Sequence, residues 1–381
     1  GDIDVNDMEQ KIIQMFSDIS AATSPRKRET VKVPDHSETL TVVAKDKETA
    51  FPSVELLFKK EPQPESTIGD YSRYMNRRLF TGMLNSRLRE LTLSSNPPFV
   101  GAFSFYGNSY ARSKDAFQMA ANTSDTGMVR SLYAMMQENQ RVLLYGFTQS
   151  EFELQKKQMQ SGYDRIFNER EKEESFKYAD EYVNNFLINE PIPGIEWEYD
   201  FVKQYLNIVA LSDINKLAAQ WITKDNLVVT MNAPDKADVK IPTDEEIKAI
   251  LVAIDVAKIE PYKEKILAEN LMDDKKLKPG KIISSKTEEE TGITTLNLSN
   301  GATVVLKQTN FKNDEIVFRA FSKGGHSLVK DADYYSASYA AQVVAQSGVG
   351  NFNAVDLGNM LKGKSTSLSP NISLYSEGLN G

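Results

Sequence analysis

Side chains able to carry chemistry are scarce in this chain of 381 residues. It has no cysteine, and its only histidines are His36 and His326. The missing cysteines exclude thiolate catalysis, disulfides and cysteine-type zinc sites. His36 sits beside Pro34 and Asp35 in a polar stretch and reads as a surface residue. His326 follows Gly324-Gly325 at a predicted strand end and reads as structural, with no second histidine nearby to share a metal. Asp35, Glu38 and Asp46 lie close in sequence, but carboxylates act as an acid–base pair only across a shared cleft, which spacing does not supply. The aromatic row Phe99, Phe103, Phe105 and Tyr106 fits alternation between core and surface better than a substrate platform. No phosphate-loop or dinucleotide-binding pattern is present, and Gly324-Gly325 alone is too short to make one. The expectation is therefore that this chain contributes no catalytic, cofactor-binding or metal-ligating residue.

Bulk properties narrow the partners. A net charge of −8 argues against nucleic acid, whose phosphates need a basic footprint. No stretch approaches the roughly 20 apolar residues of a membrane span. Residues 1–20 show no secretory signal, which carries no weight if the chain is an internal piece of a longer protein. Lack of cysteine suits both a reducing cytosol and a periplasm.

Residue patterns predict the following elements. Residues 6–19 form a helix capped by Asn6 with Glu9, its apolar face being Met8, Ile12, Met15, Phe16 and Ile19. Residues 21–38 read as a linker. Strands follow at 39–45 and 54–59, then a helix at 71–91, strands at 99–107 and 116–123, and a helix at 127–144. Residues 149–187 read as one long helical region whose charged run, 169–174, is a solvated face. Helices at 197–209 and 212–222, the latter capped by Ser212, lead to a strand at 226–232 and a helix at 243–254 with a Thr243/Glu246 capping box. The order ββαββααααβα reads as two helix-covered antiparallel groups of strands and predicts an α+β sandwich, helices packed on antiparallel sheet. Residues 258–291 read as a charged interdomain linker with a helix near 261–271. Ser299-Asn300-Gly301 marks a hairpin between strands at 294–298 and 302–306. A strand at 315–321 and a helix at 331–346 follow, and the chain is expected to end before that last unit closes a core.

Three segments carry a resemblance. Leu298-Ser299-Asn300-Gly301-Ala302-Thr303-Val304-Val305-Leu306, followed by a strand, Gly324-Gly325 and a helix, resembles a domain opening in the insulinase-type zinc metallopeptidases. Gly1-Asp2-Ile3-Asp4 before an amphipathic helix resembles the close of that family's first domain. Ser86-Arg87-Leu88-Arg89-Glu90 resembles the Ser-Arg-Leu segment of its even-numbered domains. The resemblance implies a clamshell of two halves around a peptide, in which residues 1–22 end a first domain, 23–257 form a complete non-catalytic second domain, 258–291 are the hinge, and 292–381 begin a third domain. It also implies that the His-x-x-Glu-His zinc site lies outside this chain, before Gly1. The helix after Gly324-Gly325 cannot replace it, because Ser336, Ala337, Tyr339 and Ala340 occupy the ligand region. The family's Arg–Tyr pair for the substrate carbonyl is also missing: Arg89 has Asn96 seven residues on, and Phe99 is the next aromatic.

Two functions remain open at this point. One is a wall and hinge of a zinc endopeptidase, with peptide or unfolded protein as substrate, zinc held by the rest of the parent, and a bacterial periplasm or cell envelope as compartment. The other is a peptide-binding or scaffold homologue without catalysis. Partners are expected to be the missing domains, or a second copy paired through unprotected strand edges.

Overall fold

The computed structural model describes residues 3–27, 29, 31–264, 270–271 and 278–381. Its centre is a five-stranded sheet built from β1 (Leu40–Asp46), β2 (Ser53–Lys60), β3 (Gly101–Ala111), β4 (Lys114–Asn122) and β5 (Leu227–Pro234), in the order β1-β5-β2-β4-β3. The strands before and after the first long helix thus join one sheet rather than two groups. Every pair is antiparallel except β1 with β5, which runs parallel.

Alternation decides which side of the sheet is covered. Val54, Leu56 and Phe58 of β2, Phe117 and Met119 of β4, and Val229 and Met231 of β5 point to one face and are buried. Over them lie α2 (Ile68–Thr92), α3 (Met128–Tyr145) and α7 (Leu211–Trp221). In α2, Met75, Leu79 and Met83 recur every four residues, with Leu84 and Leu88 beside them, making one apolar stripe. A capping box starts this helix: Thr67 accepts from the Asp70 backbone N–H, and Asp70 accepts in return from that of Thr67. Trp221 ends α7 against Phe80, Tyr106 and Phe117, with ring centroids 4.5–5.5 Å apart.

Several elements differ from the sequence reading. In α1 (Val5–Phe16) the cap is Asp4, not Asn6: Asp4 Oδ1 accepts from the Asp7 N–H at 2.8 Å, so the helix starts earlier. The stretch 149–187 divides into α4 (Gln149–Asn168), a 3-10 turn at Arg170–Lys172, and α5 (Ser175–Ile188). The charged run falls on this break and is no solvated helix face, because Glu169 is buried and takes its hydrogen bonds from a distant segment. After α6 (Ile195–Ile208), α7 begins at Leu211 without a side-chain cap, and Ser212 lies inside it. In α8 (Asp244–Val256) the Thr243/Glu246 capping box forms as expected.

Beyond α8, the stretch read as linker contains β6 (Ile282–Glu288), which pairs with β7 (Ile293–Leu298) and through it with β8 (Thr303–Lys307). Of the helix expected near 261–271, residues 261–264 are not helical, and 265–269 lie outside the described residues. Gly301 makes the β7–β8 turn at φ +86°. The next strand, β9 (Arg319–Lys323), starts later than expected. A 3-10 turn at Asp331–Asp333 precedes α9 (Tyr334–Ser347). Three further elements had no counterpart in the reading: α10 (Ala354–Met360), β10 (Ser369–Ile372) and β11 (Ser376–Asn380), the strands ordered β10-β11-β9. Among the described residues after 260, Phe352 is the one buried apolar side chain.

Candidate functional site

The side of the central sheet opposite the helices is open. Register places Val42, Thr230, Glu55, Ala120 and Phe103 in one row across all five strands. The next row runs Leu40, Val228, Leu57, Gln118 and Phe105. Phe103 and Phe105 are 52% and 46% exposed, and Val42 at the far edge is 51% exposed. The middle of the face is polar: Glu55 accepts from Gln118 Nε2 on one side and from Thr230 Oγ1, at 3.1 Å, on the other. A shallow surface results, apolar along the outer strands β1 and β3 and with a fixed acceptor at its centre. Such a surface binds extended chain through side-chain contact and strand pairing. Phe99 and Tyr106 are buried while Phe103 and Phe105 are not, so the aromatic row alternates as its spacing predicts.

None of the other residues weighed for chemistry meets a catalytic partner. His36 is half-buried rather than on the surface: its Nδ1 donates to the Glu38 carbonyl at 2.6 Å, and its N–H donates to Asn226 Oδ1 at 3.0 Å. His326 packs edge-on against Tyr334, and its N–H donates to the Ser373 carbonyl. Asp35 pairs with Lys114 at 2.7 Å, and that hydrogen bond holds its carboxyl below the ordinary range. Glu38 is lowered chiefly by its own backbone N–H, and Asp46 accepts from the Glu48 N–H. The three carboxylates thus have separate partners. Arg89 is exposed, Asn96 accepts from Arg130 at 2.8 Å, and Phe99 is buried, so no carbonyl-holding pair forms there. No three His, Cys, Asp or Glu converge among the described residues. Among the described residues these donor sets do not fit a zinc ion.

The segment Ser86-Arg87-Leu88-Arg89-Glu90 has a different use, which sequence reasoning missed. Arg87 is 2% exposed. Its guanidinium binds both Glu151 oxygens, at 2.6 and 2.8 Å, and donates to the Gly146 carbonyl at 3.1 Å. Phe147 and Tyr262 stack on it, at 4.8 and 4.5 Å. This planar fork locks α2 to the start of α4. Only the arginine was legible beforehand, since its partners lie far along the chain. Beside this lock a cleft of about 500 Å³ separates the ends of α2 and α4 from α9 and α10. Glu90, Lys362 and Tyr262 line it. Burial pushes the Lys362 amine down and the Tyr262 hydroxyl up.

Comparison with known proteins agrees with this architecture. The family described as Peptidase M16 inactive domain matches residues 1–159. A zinc protease PQQL-like protein of Arabidopsis thaliana is 27% identical over 353 residues, 93% of this chain and 34% of that protein. A probable zinc protease PqqL of Haemophilus influenzae is 22% identical over 318 residues, covering 80% of this chain. The chain spans only 34% and 32% of the lengths of these two curated relatives. Among solved structures, the periplasmic protease PqqL of Escherichia coli superposes on the whole chain with a TM-score of 0.61 at 18% identity, using 42% of its own length. A ferredoxin protease FusC mutant bound to Arabidopsis ferredoxin gives 0.58 at 18% identity, also over the whole chain and 42% of its own. At these identities the two structures speak for the fold.

Proposed function

We propose, from the chain's similarity to the insulinase-type (M16) peptidases, that it forms a non-catalytic wall of a zinc-dependent peptidase that encloses a peptide. The open sheet face carries this reading: Phe103, Phe105 and Val42 offer apolar contact to an extended chain, and the outer edge of β1 offers backbone for strand pairing, whereas on β3 the Ser104 N–H and carbonyl are taken by the Asn85 side chain. In this role the chain's residues bind and orient the peptide and keep water from it, and the hydrolytic chemistry belongs to residues elsewhere in the parent. The proposed division is a closing helix of a preceding domain at 1–22, a whole domain at 23–257, a connecting stretch at 258–291 and a further domain from 292. The proposed compartment is the periplasm or cell envelope, where the Escherichia coli relative resides.

The test is peptide capture by the 381-residue chain, followed by fluorescence anisotropy of a labelled, unstructured peptide. Saturable binding that weakens at least fivefold in the Phe103→Glu, Phe105→Glu double variant is expected. Undiminished binding in a folded double variant would move the site away from this face.

A further inference from the structure

We infer that an extended peptide segment adds to the central sheet as a sixth strand beyond β1, and that β3 is closed to it. Ladder geometry fixes which backbone groups face outward. The Asp46 carbonyl accepts from the Asp235 N–H at 3.1 Å, in the parallel register that sets Asp46 against Pro234. Asp46, and with it Ala44, Val42 and Leu40, therefore turn their N–H and C=O groups toward β5, and Thr41, Val43 and Lys45 turn theirs away. Among the described residues β1 has β5 as its only strand neighbour, and no hydrogen bond reaches those three outward pairs. The other edge is guarded. The Thr123 N–H donates to the Pro52 carbonyl at 2.9 Å, so the odd-numbered residues of β4 bond β2, while Gln118 and Ala120 bond Phe105 and Phe103. Ala102, Ser104 and Tyr106 thus face outward on β3. Asn85 of α2 engages the middle one as a neighbouring strand would: its Oδ1 accepts from the Ser104 N–H at 2.5 Å, and its Nδ2 donates to the Ser104 carbonyl at 3.0 Å. A break in register between Gly107 and Ala111 shortens that edge further.

A row of outward N–H and C=O groups complements another extended backbone. Residues 40–44 read Leu-Thr-Val-Val-Ala, with no charge, no proline and no break in register, the devices that guard an edge elsewhere. An incoming strand meets Leu40, Val42 and Ala44 on the open face, and Thr41 and Val43 on the other. Cross-strand contact with these side chains favours apolar and β-branched partners, and proline is excluded wherever the incoming N–H must donate. The segment is therefore uncharged, β-branched or apolar, and about five residues long, a usual strand length. Two observations favour a peptide over a second copy of this chain. Each copy carries a net charge of −8, which repels another. The β1 edge is also continuous with the open face, through the rows running from Leu40 and Val42 to Phe105 and Phe103. β1 then supplies backbone pairing, and Phe103 and Phe105, four strand spacings or about 19 Å away, supply side-chain contact alone. The inference rests on the peptide-binding reading above and names the edge and the peptide class for it.

The 381-residue chain and a labelled peptide of alternating threonine and valine, flanked by lysines for solubility, test it. Methylating the peptide's backbone nitrogens one at a time is expected to weaken binding roughly twofold to tenfold at every second position and little between, because an added strand bonds its neighbour through alternate residues. Residue-resolved amide exchange should slow at Thr41, Val43 and Lys45 when the peptide is bound, and not at Ala102, Ser104 or Tyr106. Val43→Pro removes an N–H that bonds nothing within the chain, so it should keep the fold by circular dichroism and weaken binding roughly fivefold or more. Replacing the peptide's central valine by glutamate should weaken it by at least as much, and equal affinity would refute the uncharged class. Binding without the alternation, or protection at β3 in place of β1, would overturn the inference and leave the peptide reading standing. Protection of the β1 amides on raising the chain concentration without peptide would make a second copy the occupant, and would overturn it too. Capture of no peptide at all would remove the reading and the inference together.

Discussion

Arg87→Ala is the sharpest perturbation of this fold. The substitution strips Glu151, whose side chain is only 10% exposed, of a two-pronged ionic partner. Breaking a buried pair from one side costs about 3–5 kcal/mol. Glu151 retains the Thr148 N–H and hydroxyl at 2.9 and 3.1 Å, which places the ionic part near the low end of that range. Loss of the stacked guanidinium between Phe147 and Tyr262 adds about 0.5–2 kcal/mol. The sum is still about 3–5 kcal/mol, a fall in melting temperature of roughly 6–20 °C for a domain of this size. Urea titration followed by circular dichroism measures it. Arg87→Lys should fall between wild type and alanine, because a point charge cannot span both oxygens and also reach the Gly146 carbonyl. In a double-mutant cycle with Glu151→Ala the two losses should fail to add by about 1–3 kcal/mol. A loss below about 1 kcal/mol for Arg87→Ala, or strict additivity in the cycle, would refute the claim that this fork joins α2 to α4.

Other outcomes follow from the same coordinates. Metal analysis of the purified chain should find no stoichiometric zinc, and peptidase activity should be absent with or without chelator. A one-to-one zinc signal would contradict the donor sets described. Phe103→Glu and Phe105→Glu should each change stability by no more than about 0.5–1 kcal/mol, since both rings stand in solvent; a larger loss by urea titration would mean the face is not open. Gly146→Ala should cost about 1–3 kcal/mol, as φ is +69° and an added Cβ would sit 2.5 Å from Asn215 Nδ2. Glu198 supplies a pH test. Burial raises its carboxyl above the ordinary carboxylate range, against the opposing hydrogen bond from Tyr71. The folded state then binds the proton more tightly than the unfolded state, so this group's contribution to stability falls as pH rises from its unfolded to its folded pKa. Glu198→Gln should accordingly gain on wild type near neutral pH and lose that advantage in acid. An advantage independent of pH would refute the linkage.

Local chemistry was enough to foresee much of the central domain. Alternation in 54–59 and 116–123, the four-residue spacing of Met75, Leu79 and Met83, and the Thr243/Glu246 box all act within a few residues, and each formed as read. Local chemistry failed where several answers are equally good nearby. Asp4 and Asn6 can both cap a helix, and the chosen one depends on where the chain turns in. A run such as Glu169–Glu174 has helix-forming residues throughout, yet it breaks because Glu169 finds backbone donors at Asn313 and Asp314.

Residue inventory bore on one matter without any coordinates: with two histidines and no cysteine, imidazole and thiolate donors for zinc are scarce and a thiol nucleophile is absent, since donor chemistry belongs to side-chain type. Folding in three dimensions settled the rest. It brought Glu151 and Tyr262 onto Arg87, set Phe103 and Phe105 on a face without a helix, and set Glu90 and Glu169 against a part of the chain far along the sequence. Such contacts join residues separated by 64 to 269 positions. No local preference encodes which of many equivalent carboxylates will be buried, so that choice falls to the packing of whole elements.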